Sequence, residues 1–78
     1  MRKLKLIWDF KGPDGIKIAE HHAIHLNEFV AAENYEGITT GFEALHESHA
    51  IAFLITPEDQ MKPIRDALKP HRGQVHIE

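Results

Sequence analysis

The order of apolar and polar residues divides the chain into six segments. Over residues 3–10 the two kinds alternate, with Leu4, Leu6, Trp8 and Phe10 pointing one way and Lys5, Ile7 and Asp9 the other. A period of two is that of a strand with one face on a core. Lys11-Gly12-Pro13-Asp14-Gly15 then supplies turn residues: proline fixes φ and glycine permits positive φ. From Ile16 the period is helical. Ile16, Ala19, Ala23, Leu26 and Val30 form one stripe, with Phe29 at its margin, until Asn34 and Gly37 close the helix.

Residues 38–46 and 49–56 are expected to be two further strands, joined by a tight turn at His46-Glu47-Ser48-His49. The second is apolar at every position from Ala50 to Ile55, the pattern of a strand covered on both faces. Thr56 offers an N-cap, Pro57 the first helical position, and acids follow. Met61, Ile64 and Leu68 predict the buried stripe of a second helix, with Pro63 marking a kink or its true start. Lys69-Pro70-His71-Arg72-Gly73 ends that helix, and residues 74–78 alternate again as a last strand.

The resulting order is β-α-β-β-α-β. With short, right-handed connections its compact solution is a split β-α-β arrangement: an α+β domain over residues 1–78, with a four-stranded antiparallel sheet in strand order 4-1-3-2 and two helices on one face. A chain of 78 residues is near the lower limit for a self-sufficient core, burying only about 60% of its unfolded surface, so self-association is expected to stabilise it. On the open face, parity sets Lys5, Ile7 and Asp9 beside Ala50, Ala52 and Leu54, with Glu43, Leu45 and His76. A homodimer is expected through that face. Asp9, Glu43 and His76 would then line a cavity in which a carboxylate near an imidazole serves as a general acid–base pair. The plainer alternative is a dimer interface with one satisfied polar pair.

Composition excludes several classes. Charged residues make up 27% of the chain and hydrophobic ones 42%, a globular balance rather than a disordered one. Cysteine is absent, which rules out disulfides, thiolate metal sites and cysteine nucleophiles. The net charge of −3 and the scattered Lys and Arg provide no basic patch for nucleic acid. No apolar run reaches the roughly 20 residues of a membrane span. The basic start meets Asp9 before a signal-peptide core forms, so a cytoplasmic location is expected. No G-x-S-x-G nucleophile motif or phosphate-binding glycine loop occurs.

Histidine is the chemical peculiarity: there are seven, about four times the ordinary frequency. The topology gathers the Gly12–Gly15 loop, the histidines of the first helix, the 46–49 hairpin and His71 with Arg72 on one rim. His21 and His25 stand one helical turn apart, and Glu28 continues their line, a spacing that suits chelation of one divalent ion. His46 and His49 from the hairpin would add ligands. Nitrogen and oxygen donors alone suit zinc, nickel, copper or iron. His71 and Arg72 are candidate contacts for a small anion. The plain reading gives each of these residues to a solvated surface, and His22 to the edge of the core.

Leu6-Ile7-Trp8-Asp9-Phe10 before a Gly-Pro turn, the long helix, and Asp66-Ala67-Leu68-Lys69-Pro70-His71-Arg72-Gly73 before the last strand together carry a likeness. The layout resembles small bacterial proteins of the ferredoxin-like, dimeric α/β-barrel type. That resemblance implies a ferredoxin-like fold and a homodimer. Haem-degrading monooxygenases, isomerases and plain ligand-binding domains share the architecture, and no catalytic residue carries over by position. Three expectations follow. The first is a homodimeric binding domain whose histidine-rich rim takes a transition metal or small anionic ligand. The second is a cofactor-free enzyme of isomerase or monooxygenase type. The third is an interaction module with incidental histidines.

Overall fold

The computed structural model describes residues 2–77. Its elements are β1 (Lys3–Lys11), α1 (Gly15–Ala32), β2 (Thr39–His46), β3 (His49–Pro57), α2 (Glu58–Leu68) and β4 (Arg72–His76). All strand pairs are antiparallel, and the sheet order is β2-β3-β1-β4, or 4-1-3-2 counted from the β4 edge. Among the described residues no helix is long and apolar enough to cross a membrane.

Strand pairing settles which residues share a face. Leu6 lies opposite Leu54 and Trp8 opposite Ala52. These four form the buried core with Leu26 of α1 and Ile64 of α2, so they occupy the helix side of the sheet. The open side therefore carries Lys5, Ile7 and Asp9 beside Ile51, Phe53 and Ile55. This corrects the expected placement of Ala50, Ala52 and Leu54, which lie beneath the helices. A strand without alternation carries no parity signal of its own, and a shift of one residue exchanges its faces.

The open side is partly closed by its own side chains. Ile7 and Ile51 are only 2% and 3% exposed. Ile7 lies opposite Phe53 on one side and Arg72 on the other. The Lys5 ammonium sits 4.6 Å from the centre of the Phe53 ring. Gly41 makes this possible, because a Cβ there would stand 2.7 Å from the ring.

The helices differ in how they hold on. α1 buries Gly15, Ala19, Ala23 and Leu26, leaving Ile16 exposed at the start of its expected stripe. α2 buries Ile64 alone. Its N-cap is Pro57 rather than Thr56. Thr56 stays in β3, fully buried, its hydroxyl donating to the Pro57 carbonyl at 3.1 Å. Glu58 and Asp59 occupy the first turn, where the helix dipole favours negative charge. The helix runs through Pro63, whose missing N–H would have met the carbonyl of Asp59, an exposed residue open to water.

α2 ends at Lys69 in the left-handed conformation (φ 49°), with its N–H donating to the Arg65 carbonyl at 2.8 Å. The Trp8 indole N–H donates to the Leu68 carbonyl at 3.2 Å and ties that end to the core. β4 begins at Arg72, two residues before the expected start, because Arg72 pairs with Ile7 and the His71 N–H donates to the Ile7 carbonyl. Of the expected final strand, Ile77 lies beyond β4 and Glu78 lies outside the described residues.

Candidate functional site

The rim forms where β1 ends. The Gly12 N–H donates to the Ser48 carbonyl at 2.8 Å, bringing the 46–49 hairpin against the turn after β1. Asp9 is the hub. One carboxylate oxygen accepts from the Arg72 Nε–H at 3.0 Å, and the other from Arg72 Nη2 at 3.1 Å and from His49 Nε2 at 2.9 Å. The Asp9 backbone N–H donates to His71 Nδ1 at 2.9 Å. His46 packs edge-on against His49, with ring centres 5.8 Å apart. Residues 40 and 63 positions from Asp9 thus close on one carboxylate that is 19% exposed.

These contacts set the protonation states. Two charge-assisted bonds from Arg72, then the bond from His49, overcome burial and hold the Asp9 carboxyl at about 2, below its ordinary 3.8. The same bonds raise Arg72 further above its usual value. The Asp9 carboxylate fixes the proton of His49 on Nε2. The Asp9 N–H fixes the neutral tautomer of His71 with its proton on Nε2. Arg72 is engaged by a carboxylate of its own chain, so the His71–Arg72 pair acts first as a clamp on the start of β4.

His22 belongs to the core side of this end. Its ring centre lies 5.0 Å from that of Trp8 and 5.4 Å from that of Phe10. Its Nε2 is buried without a partner among the described residues. Burial lowers its pKa, and the neighbouring imidazoles of His25 and His71 lower it further. His25 lies on the solvent side of α1, bonded to Glu28 at 3.0 Å, and His21 is exposed. Among the described residues no three His, Asp or Glu side chains converge as a metal-binding group.

The candidate acid–base set is spread across the sheet. Asp9 and Glu43 both lie opposite Ile51, on its two sides, so their strands stand about 10 Å apart. His76 pairs with Lys3, at the other end of β1 and roughly 20 Å from Asp9 along the strand. Asp9 finds its imidazole in His49 instead. No spacing rule could single out that partner, because it depends on the β1–β3 register.

Beside the rim, α2 and β4 diverge. α2 packs over β1 and β3, leaving the helix side of β4 uncovered. The gap is a groove of about 410 Å³ with Leu4, Leu6, Met61 and Val75 on its walls and Arg65 and Arg72 at its edges. Val75 is 47% exposed there. None of the described lining residues is acidic. Sequence reasoning missed this groove. Its one available signal was the Gly73–Val75 pair on a strand too sparse in bulk to meet a helix. No family model, curated protein or solved structure matches the chain.

Proposed function

We propose that the chain is a ferredoxin-like binding domain whose α2–β4 groove takes an anionic ligand with an apolar body. The fold reading is supported by the element order and by the strand order 4-1-3-2 counted from the β4 edge. The functional reading rests on one observation: the groove joins an uncovered apolar wall to the Arg65 guanidinium, with no acid among its described lining residues. Its volume falls in the ordinary range for ligand sites, about 300–1,000 Å³. Arg65 is the principal anchor, because its single bond to the exposed Asp66 at 3.3 Å is looser than the two bonds that hold Arg72 on Asp9. Self-association through the open sheet face has weaker support, since Ile7 and Ile51 are covered within the chain and Leu54 lies under the helices.

The test is an amide-resolved NMR titration of the whole chain with octanoate, with octanol as the uncharged control. Shifts are expected at Leu4, Leu6, Met61 and Val75, and Arg65→Gln should weaken octanoate about fivefold or more while sparing octanol. Shifts scattered over the surface, or none at millimolar octanoate, would sink the reading.

A further inference from the structure

The outer wall of the groove is the edge of a sheet. β4 is the terminal strand, so half of its backbone N–H and C=O groups point away from β1. Natural edges are commonly blunted by proline or a bulge. β4 contains no proline, and its register with β1 is unbroken from Arg72 to His76.

Side chains along that edge divide by face. Gly73 and Val75 lie opposite Leu6 and Leu4, on the helix side with the groove. Gly73 keeps this wall low, because a Cβ there would already touch the Leu6 side chain at 3.4 Å. Arg72, Gln74 and His76 lie opposite Ile7, Lys5 and Lys3 on the open side. Among the described residues on the open side of β1 and β4 the one acid is Asp9, at the far end and held by Arg72 and His49. An apolar wall under α2, an unpaired strand edge and a basic strip on the reverse side therefore run in parallel.

We infer that the ligand of this groove is an extended peptide segment, apolar and acidic at alternate positions, that adds to β4 as a fifth strand. Its apolar side chains lie over Leu4, Met61 and Val75, and its acidic ones lie on the open side, toward Lys5 and His76. Main-chain bonds to the edge supply affinity, and the alternation supplies selectivity. The inference rests on the groove reading above and names the ligand class. A small amphiphile uses the apolar wall and Arg65 but nothing of the strand edge, which makes the two separable.

The probe is the acetylated and amidated peptide Val-Glu-Val-Glu-Val-Glu-Val, titrated into the whole chain at neutral pH. Saturable binding is expected, with slowed hydrogen exchange at alternate amides between Arg72 and His76. A peptide with Lys in place of Glu should bind about tenfold or more weakly, and so should the Val75→Lys protein. Val75 is half exposed, so that variant keeps its fold, which the same spectra verify. N-methylation provides the strictest arm. Methylating either the Val amides or the Glu amides should abolish binding, while methylating the other set should spare it, since one edge of the peptide faces β4. Octanoate binding without peptide binding would overturn the inference and leave the groove reading intact. Failure of both would remove both. Equal binding by the two methylated peptides would exclude strand addition. A chain already assembled through β4, and dissociated by the peptide, would make a second copy the occupant and overturn the inference as well.

Discussion

At the β2 edge the sheet lies under α1, an 18-residue helix packed over β3, β2 and β1. At the β4 edge no helix follows, because α2 has 11 residues and stays over β1 and β3. Both edges leave a groove, but of opposite character. The α1–β2 groove carries Glu20 and Glu28 beside Ile24 and Phe42, whereas the α2–β4 groove carries Arg65 and Arg72 beside Leu4, Leu6, Met61 and Val75. One sheet thus presents an acidic edge and a basic edge. The difference comes from anchoring. Four buried positions hold α1 close, two of them alanines, while α2 has one fully buried residue, Ile64, with Met61 and Leu68 partly buried beside it.

The largest expected effect tests that anchoring. Ile64→Ala should cost about 2–5 kcal/mol in urea denaturation, whereas Ile18→Ala, at a half-exposed position of α1, should stay within about 0.5 kcal/mol. An Ile64→Ala cost as small as that of Ile18→Ala would mean that α2 is held by something other than its buried side chain.

Next in size is the clamp that fixes the start of β4 and so one lip of the basic groove. The folded pKa of Asp9 lies at about 2, below its ordinary 3.8. A depressed carboxyl stabilises the folded state above the ordinary value, and that contribution is lost as pH falls from near 4 toward 2. Screened by solvent around the half-exposed Arg72, that difference contributes about 1 kcal/mol. Asp9→Asn should therefore lower stability at pH 6 by that order, and the gap to the wild type should narrow steadily below pH 4. A gap unchanged at low pH would show that shape, not charge, holds the clamp.

His22 sharpens the comparison from the α1 side. Its folded pKa is lowered, chiefly by burial, so the unfolded chain takes up the proton first as pH falls through the ordinary histidine range. Stability should decline through that window, and His22→Leu should remove this component. Because Nε2 is buried without a partner among the described residues, the leucine variant should equal or exceed the wild type at pH 7.5, by up to about 1 kcal/mol. Denaturation at pH 7.5 and 5.5 decides it, and an unchanged pH slope in the variant would assign the dependence to other groups. The smallest stability effects belong to the groove charges. Arg65→Gln and Glu28→Gln should each stay within about 0.5 kcal/mol, yet only the first should weaken octanoate. Equal weakening by both would erase the distinction between the edges.

Much of the architecture was legible in the order of residues. β1 declares its faces through Leu4, Leu6 and Trp8 against Lys5 and Asp9, and α1 declares its buried stripe through Ala19, Ala23 and Leu26. The turn residues between them mark the breaks. These signals are local, because alternation and helical period are written into neighbouring positions. The parity of β3 was not legible, since a run from Ala50 to Ile55 without polar residues looks the same from either side. The cap of α2 was misplaced for a related reason: Thr56 has the chemistry of a cap, but burial opposite Leu4 keeps it in the strand.

The candidate site divides in the same way. That histidines at 46, 49 and 71 and an arginine at 72 would lie at one end followed from element order alone, whereas Asp9 was expected to work with Glu43 and His76 on the open face. Which of them bond was decided only when β1 paired with β3 on one side and β4 on the other, putting His49 and Arg72 on Asp9 and carrying His76 to the opposite end. The groove was likewise decided in three dimensions. Sequence determined that the last strand would be short, but set its start at Gln74 and so left Gly73 out of it. Only the packing of α2 over β1 and β3 left the helix side of β4 bare, because a short helix settles on the strands that bury its apolar stripe and cannot also cover the edge.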